Sequence, residues 1–348
     1  MSSAADVTHY RALALQARCV AVNLAKNRAE ARALMAQSLD RLREQIGAGV
    51  AWVGRDDCRL VVLPEYFLTG FPISESIPAW ADKAALEIGG PEYEALGRVA
   101  QENRIFLAGN AYEIDPGFPG LFFQTCFVLD PAGAVVLRYR RLNSNSSPTP
   151  HDVWDRYLEL YGLEGVFPVA RTEIGNLAAI ASEEILYPEV ARCLTMRGAE
   201  VFLHPTSQAN ETAKAVKEVC TVARAVENAA YVVSANSGGL EGSPFALAST
   251  DGGSKIVDYR GVVLAKTGWG ESSAAFADVD LDGLRRFRRR PGIENVFLRA
   301  RFEAYAESYA RARFYPPNTL TAGAPERSHF AATQRQTAER LEKAGILR

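Results

Sequence analysis

A carboxylate placed directly behind a short apolar strand is the first feature of this sequence that suits chemistry. Glu65 closes the run Val61-Val62-Leu63-Pro64. A carboxylate at a strand's C-terminal end, against an apolar wall, can serve as a general base. By position alone, an ordinary loop-edge glutamate fits as well. The other reactive types are sparse. His9, His151, His204 and His329 form no H-x-x-x-H pair, so neither a structural zinc nor any other metal site is expected. Cys19, Cys58, Cys126, Cys193 and Cys220 are scattered, odd in number and free of C-x-x-C spacing, which reads as buried free thiols.

The elements that must carry these residues alternate between strand-like and helical patterns. Strands are expected at 19–24, 60–63, 105–109, 176–181, 201–204 and 231–235. Asn27 followed by Glu30 reads as a capping box opening a helix. Its apolar face runs Ala31, Leu34, Met35, Leu39, Leu42 and Ile46. A second helix covers 93–103. The segments 122–129 and 134–139 read as a strand pair joined by the turn Asp130-Pro131-Ala132-Gly133. Pro188 opens a helix that Gly198 stops. Asn210 is expected to cap a helix reaching about Ala229. A long polar connection spans 143–155, and an amphipathic helix spans 331–344.

The chain has 348 residues, is 48% hydrophobic and carries a formal charge of -2. That length suits one large α/β domain over 1–280, followed by a C-terminal arm and helix over 281–348. The near-neutral charge and the lack of a basic stripe argue against nucleic acid as a partner. No segment approaches the roughly 18 apolar residues that span a membrane, and no secretory signal opens the chain, so a cytosolic protein is expected.

Six stretches, in order, resemble the nitrilase (carbon–nitrogen hydrolase) superfamily. Val61 to Glu65 is similar to the segment bearing that family's glutamate. Asp130 to Arg141 is similar to "DPxGxxxxxYRK", and Ile180 to Arg192 to "ICxDxxxPExxR". Gly198-Ala199-Glu200 with Pro205-Thr206 matches "GAE…PT", Arg224 to Asn228 matches "RAxEN", and Gly253 to Gly261 matches "GxSxIxDxxG". The resemblance implies an α/β fold, a four-layer α-β-β-α sandwich. It also implies no cofactor, and pairing of subunits into a homodimer or larger homo-oligomer.

It further implies acyl transfer on a small amide, carbamoyl compound or nitrile, with Glu65 as the base. Two positions depart from the family pattern. Ser182, six residues before Pro188, stands where the family keeps its cysteine, and Arg141 stands where it keeps its lysine. A serine hydroxyl must lose its proton during attack and usually needs a histidine to take it, and His204 ends the next strand. Arg141 can still hold an oxyanion, but pairing with Glu65 would favour the ionised carboxylate and weaken it as a base. Glu159, 23 residues before Ser182, is the candidate for the family's second glutamate, with Asp155 the other. Tyr66, Glu183 and His204 complete the expected substrate contacts.

Three functions follow from these residues. The first is a hydrolase using Ser182. The second is a non-hydrolytic homologue that binds a ligand or protein partner. The third is a cysteine-to-serine inactivated variant of an active amidase, which would leave Arg141 unexplained.

Overall fold

The computed structural model describes residues 6–208, 215–246, 250, 252–320 and 326–348. Strands β1 (His9–Ala14), β2 (Cys19–Val20), β3 (Cys58–Val62), β4 (Leu86–Glu87), β5 (Phe106–Ile114), β6 (Phe122–Leu129) and β7 (Val135–Arg140) come first. They are followed by β8 (Ala170–Thr172), β9 (Gly175–Ala179), β10 (Val201–Thr206), β11 (Tyr231–Asn236), β12 (Leu240–Glu241), β13 (Lys255–Val257), β14 (Val263–Lys266) and β15 (Phe276–Asp280). Interspersed are helices α1 (Arg28–Val53), α2 (Ile77–Ala84), α3 (Pro91–Asn103), α4 (Trp154–Val166), α5 (Pro188–Met196), α6 (Ala215–Asn228), α7 (Leu281–Arg289), α8 (Phe302–Arg311) and α9 (Arg327–Lys343).

The strands form two sheets. One runs β15-β1-β3-β5-β6-β7, with β4 on β5, and the other runs β14-β13-β11-β10-β9-β8. Alternation places Tyr10, Ala12, Leu60, Val62, Phe106 and Ala108 in the cluster shared with β9, β10 and β11. Leu13, Val61 and Leu107, on the opposite face, pack with Met35, Leu42 and Ile46 of α1 and Leu96 of α3. Successive strand side chains point to opposite faces, so a strand apolar on both must lie between two layers. The second sheet packs Val190 and Leu194 of α5 and Ala225 of α6 in the same way. The four-layer α-β-β-α sandwich is therefore the observed fold.

Most expected elements are present, with shifted ends. Asn27 caps α1, accepting from the Glu30 amide, and Pro188 opens α5. The first strand is the main correction. The segment 19–24 contributes only the two residues of β2, and Leu24 is 73% exposed. The sheet takes β1 instead, where alanines and Arg11 obscured an alternation whose inward members are buried. The connection 143–155 is also more ordered than its composition suggests. It closes in a 3₁₀ turn at Pro150–Val153 and enters α4 at Trp154. The expected cap at Asn210 lies outside the described residues. Packing continues beyond Asp280, because Leu281 and Leu284 of α7 join the inter-sheet cluster and Arg285 pairs with Glu200 at 2.8 Å.

The C-terminal segment folds back on its own chain. Leu320 N and Thr319 Oγ1 donate to Asp152. Arg327 of α9 donates to Ile73 O at 2.7 Å and to Ser146 Oγ at 3.3 Å, joining the loops that follow Glu65 and Arg141. Phe330, 1% exposed, anchors the helix in the first sheet's outer cluster. Truncating a buried Phe typically costs about 3–5 kcal/mol. Phe330→Ala is expected to release α9 while the sandwich stays folded. Hydrogen exchange should show lost protection over 327–343 and native protection in β3, β5 and β10. Unchanged protection in α9 would refute this account of its docking.

Candidate active site

Three chain ends converge where the sheets meet. Glu65 follows β3, Arg141 follows β7, and Ser182 follows β9, with β10 alongside. The parallel pairing of β9 with β10 and of β1, β3 and β5 sends several C-terminal strand ends to one edge. All three side chains lie in the interior, with residue exposures of 1% for Glu65, 6% for Arg141 and 5% for Ser182.

Glu65 is held on both oxygens. Gln124 Nε2 donates to Oε1 at 2.5 Å, and the Ser207 amide donates to Oε2 at 3.0 Å. Its own amide donates to Thr206 O at 3.2 Å. Arg141 Nη1 lies 3.7 Å from Glu65 Oε1 and donates to Gln124 Oε1 at 2.7 Å. The Gln124 amide therefore separates the carboxylate from the guanidinium, contacting each with its matching end. Arg141 Nε donates to Asn143 O at 2.5 Å, and Nη2 pairs with Glu183. Burial works against the Arg141 charge, but Tyr66, Glu183, Glu65 and Glu184 outweigh it and hold the proton more firmly than in water.

The turn carrying Ser182 is strained. Ser182 adopts φ 49°, and Tyr66, the residue after Glu65, adopts φ 59°. Non-glycine residues rarely enter this region, and such strain concentrates at functional sites. His204 fixes the turn through the backbone and not through the hydroxyl. Its Nε2 lies 2.8 Å from Ser182 O and its Nδ1 2.8 Å from Ser234 Oγ. A carbonyl can only accept, so Nε2 carries the proton and Nδ1 accepts from Ser234. His204, which could have approached the Ser182 hydroxyl from the end of the next strand, is thus a support for the turn.

Glu183 binds Arg141, and the Tyr66 ring stacks on Tyr112 with centroids 5.5 Å apart. Glu159 does not reach the cluster. The glutamate sits on the solvent face of α4, paired with Arg156 at 2.6 Å, and Asp155 is also exposed. The helical period of α4 turns both carboxylates outward and sends Tyr157 inward.

Two residues of the cluster escaped the sequence reading. Gln124 is a lone amide within the apolar strand Phe122–Leu129, and a polar residue at a buried strand position needs partners. Glu184, fully buried, accepts from Tyr139 Oη at 2.6 Å, from the Leu142 and Asn143 amides at 2.9 Å each, and from Asn143 Nδ2 at 3.1 Å. Burial raises its pKa above the usual carboxylate value. It ties the Ser182 turn to the backbone leaving Arg141. The signal for it was a second consecutive acid leading into Ile185.

The sequence match agrees with this geometry. Residues 11–289 match the Carbon-nitrogen hydrolase family, and the chain belongs to it. It is 27% identical over 232 residues to omega-amidase NIT2 of Xenopus tropicalis, covering 67% of this chain and 80% of that protein. The human omega-amidase NIT2 is 25% identical over 248 residues, covering 71% and 85%. Among solved structures, a carbon–nitrogen hydrolase from Helicobacter pylori aligns with TM-score 0.67 at 19% identity, covering 88% of this chain and 99% of that one. An amidase from Nesterenkonia sp. aligns with TM-score 0.61 at 21% identity, covering 88% and 100%. No helix among the described residues is long and apolar enough to cross a membrane. No cluster of potential metal ligands occurs among them.

Burial lowers the His204 pKa to about 3, so the ring is neutral in the folded protein. The unfolded chain, with an ordinary histidine near 6.5, binds the extra proton first as pH falls. This residue's contribution is complete above about pH 6.5 and declines toward pH 3. Between pH 7 and 5 the loss should be about 2 kcal/mol. Urea unfolding of wild type and His204→Asn at both pH values measures it. An equal pH dependence in the two proteins would contradict a neutral buried His204.

Proposed function

We propose that the chain hydrolyses a small amide, carbamoyl compound or nitrile through an acyl-serine on Ser182. The observation that carries this reading is the strained Ser182 turn set beside the buried Glu65–Gln124–Arg141 cluster. A fold that had lost every use for the turn would have no cause to keep a serine at φ 49° there.

For an amide, Ser182 Oγ attacks the carbonyl carbon as its proton passes to Glu65. Arg141 and the amide of Glu183, the residue after the nucleophile, stabilise the oxyanion. Collapse breaks the C–N bond, and Glu65 returns the proton to the departing nitrogen. Water, deprotonated by Glu65, then attacks the acyl ester and frees Ser182. Glu65 accepts from Gln124 and Ser207, which fixes the orientation of its carboxylate.

A second reading, a non-hydrolytic homologue that keeps a ligand pocket, is favoured by one observation. The three guanidinium nitrogens of Arg141 are each engaged by protein acceptors. A mass shift on Ser182 after exposure to an amide and nitrile panel, absent in Ser182→Ala, tests the acyl-serine. Ser182→Cys with Arg141→Lys should raise ammonia release at least about tenfold over wild type, since base catalysis contributes roughly 10²–10⁴-fold. If wild type is fastest, the chemistry has been rebuilt around serine and arginine. Silence from all variants on every substrate, with ligand still bound, favours the non-hydrolytic reading.

We also infer a cytoplasmic homodimer. Val190, Ala191 and Leu194 of α5 are consumed by the chain's own core. Met196 of α5, Val219 and Val226 of α6 and Tyr305 of α8 remain 44–62% exposed, and a second copy would cover them. Tyr309 Oη donates to Glu189 at 2.9 Å, tying α8 to α5. Light scattering at micromolar concentration should give twice the 37.9 kDa chain mass. A monomer would contradict the inference.

A further inference from the structure

A row of aromatic rings leads from the buried cluster to solvent. Tyr112 of β5 is 1% exposed, Tyr66 and Phe71 are half-buried, and Phe245 is 48% exposed. The rings meet in that order. Tyr112 and Tyr66 stack with centroids 5.5 Å apart, Tyr66 and Phe71 lie 5.6 Å apart, and Phe71 and Phe245 lie 5.9 Å apart. Tyr66 stands at the cluster itself. It follows Glu65 directly and is close enough to Arg141 to help hold that proton.

Two segments far apart in the chain make this row, and both close on Ala21. Gly70 adopts φ 65° and Gly242 φ 74°. A Cβ on Gly70 would lie 2.6 Å from the Ala21 Cβ, and one on Gly242 2.8 Å from the Ala21 carbonyl oxygen. Only glycine permits that approach at either position. Pairing of β12 with β2 seats the second loop, because Leu240 and Glu241 lie opposite Cys19 and Val20. Phe71 then follows one glycine and Phe245 the other, with their rings in contact. The first loop is fixed further by polar bonds. Asn23 Nδ2 donates to Phe71 O at 3.0 Å, and Arg327 donates to Ile73 O at 2.7 Å. Glu75, the carboxylate of this loop, is neutralised by Lys83 at 3.0 Å.

Single exposed rings are ordinary on a protein surface, but a contiguous row that starts beside a buried polar cluster has the character of a ligand wall. Rings held in place before binding also lose little freedom when a ligand covers them. The row thus offers apolar contact that begins where the reacting carbon would sit and continues outward.

We propose that Phe71 and Phe245 form the wall of an apolar subsite, and that the amide, carbamoyl compound or nitrile taken by the site carries an aryl group or a hydrocarbon chain that lies against them. This substrate class rests on the reaction proposed at Ser182. The reacting group is held by Glu65 and Arg141, and the substituent extends along the rings toward solvent. Each methylene buried there adds about fourfold in affinity.

Binding and acylation are measured apart. Calorimetric titration of full-length Ser182→Ala with acetamide, hexanamide and phenylacetamide reads binding without turnover, and wild type serves if that variant fails to fold. The mass shift on Ser182 in wild type reads acylation by the same amides. Hexanamide and phenylacetamide should bind at least about tenfold more tightly than acetamide. Phe71→Ala and Phe245→Ala should each lower the ratio of phenylacetamide to acetamide affinity at least about threefold, the scale of one aromatic contact. Phe245, half-exposed, provides the test if Phe71→Ala fails to fold. Tight binding of the longer amides without acylation would overturn hydrolysis at Ser182 and support the subsite. Acylation with no preference for the longer amides would overturn the subsite and leave hydrolysis standing. The subsite is also overturned if no amide binds, or if neither phenylalanine substitution reduces the preference.

Discussion

The guanidinium of Arg141 is the point on which the rest of the site depends. It is a charge buried almost completely, and a buried charge survives only when paired and hydrogen-bonded on all sides. Glu65, Gln124, Glu183 and the Asn143 carbonyl provide this from four separate segments. Each of these groups is in turn held. The Ser207 amide holds Glu65, the Gln124 amide bridges to Asn110, and Glu184 gathers the backbone that leaves Arg141. Removing the cation would leave the Glu65 carboxylate, 1% exposed, without its positive neighbour.

The same network explains why a serine can stand at this turn without collapse of the site. The turn is fixed by groups that do not touch the Ser182 side chain. His204 grips its carbonyl, and Glu184, two residues on, anchors it to Tyr139 and to the 142–143 backbone. Geometry and reactivity are therefore separable here. A turn built this way can hold a thiol or a hydroxyl, because the contacts that fix it run through backbone and through Glu184.

The C-terminal segment adds a constraint from outside the family match, which ends at residue 289. Its contacts fall on the loops that follow Glu65 and Arg141, through Arg327 to Ile73 and Ser146 and through Thr319 and Leu320 to Asp152. Asp152 itself closes the capping box with Thr149. The border of the site is thus set by packing between residues far apart in the chain.

The sequence by itself determined the class of fold, the positions of Glu65, Arg141 and Ser182, and the two departures. Those rest on the resemblance to the nitrilase superfamily, whose ordered motifs carry them, while the strand before Glu65, the turn after Leu129 and the proline that opens α5 are local signals set by short-range sterics and burial. It missed β1, because alanines carry little hydrophobic contrast and only the inter-sheet layer shows they are inside. It also misjudged Glu159, whose distance from Ser182 in sequence says nothing about which face of α4 it occupies. Tertiary structure alone decided that Gln124 separates Glu65 from Arg141 and that His204 holds the turn through its backbone. The physical reason is that partners of buried polar groups are chosen by whichever strands the sheet order makes neighbours. That order arises from pairing over long sequence separations, which no local pattern encodes.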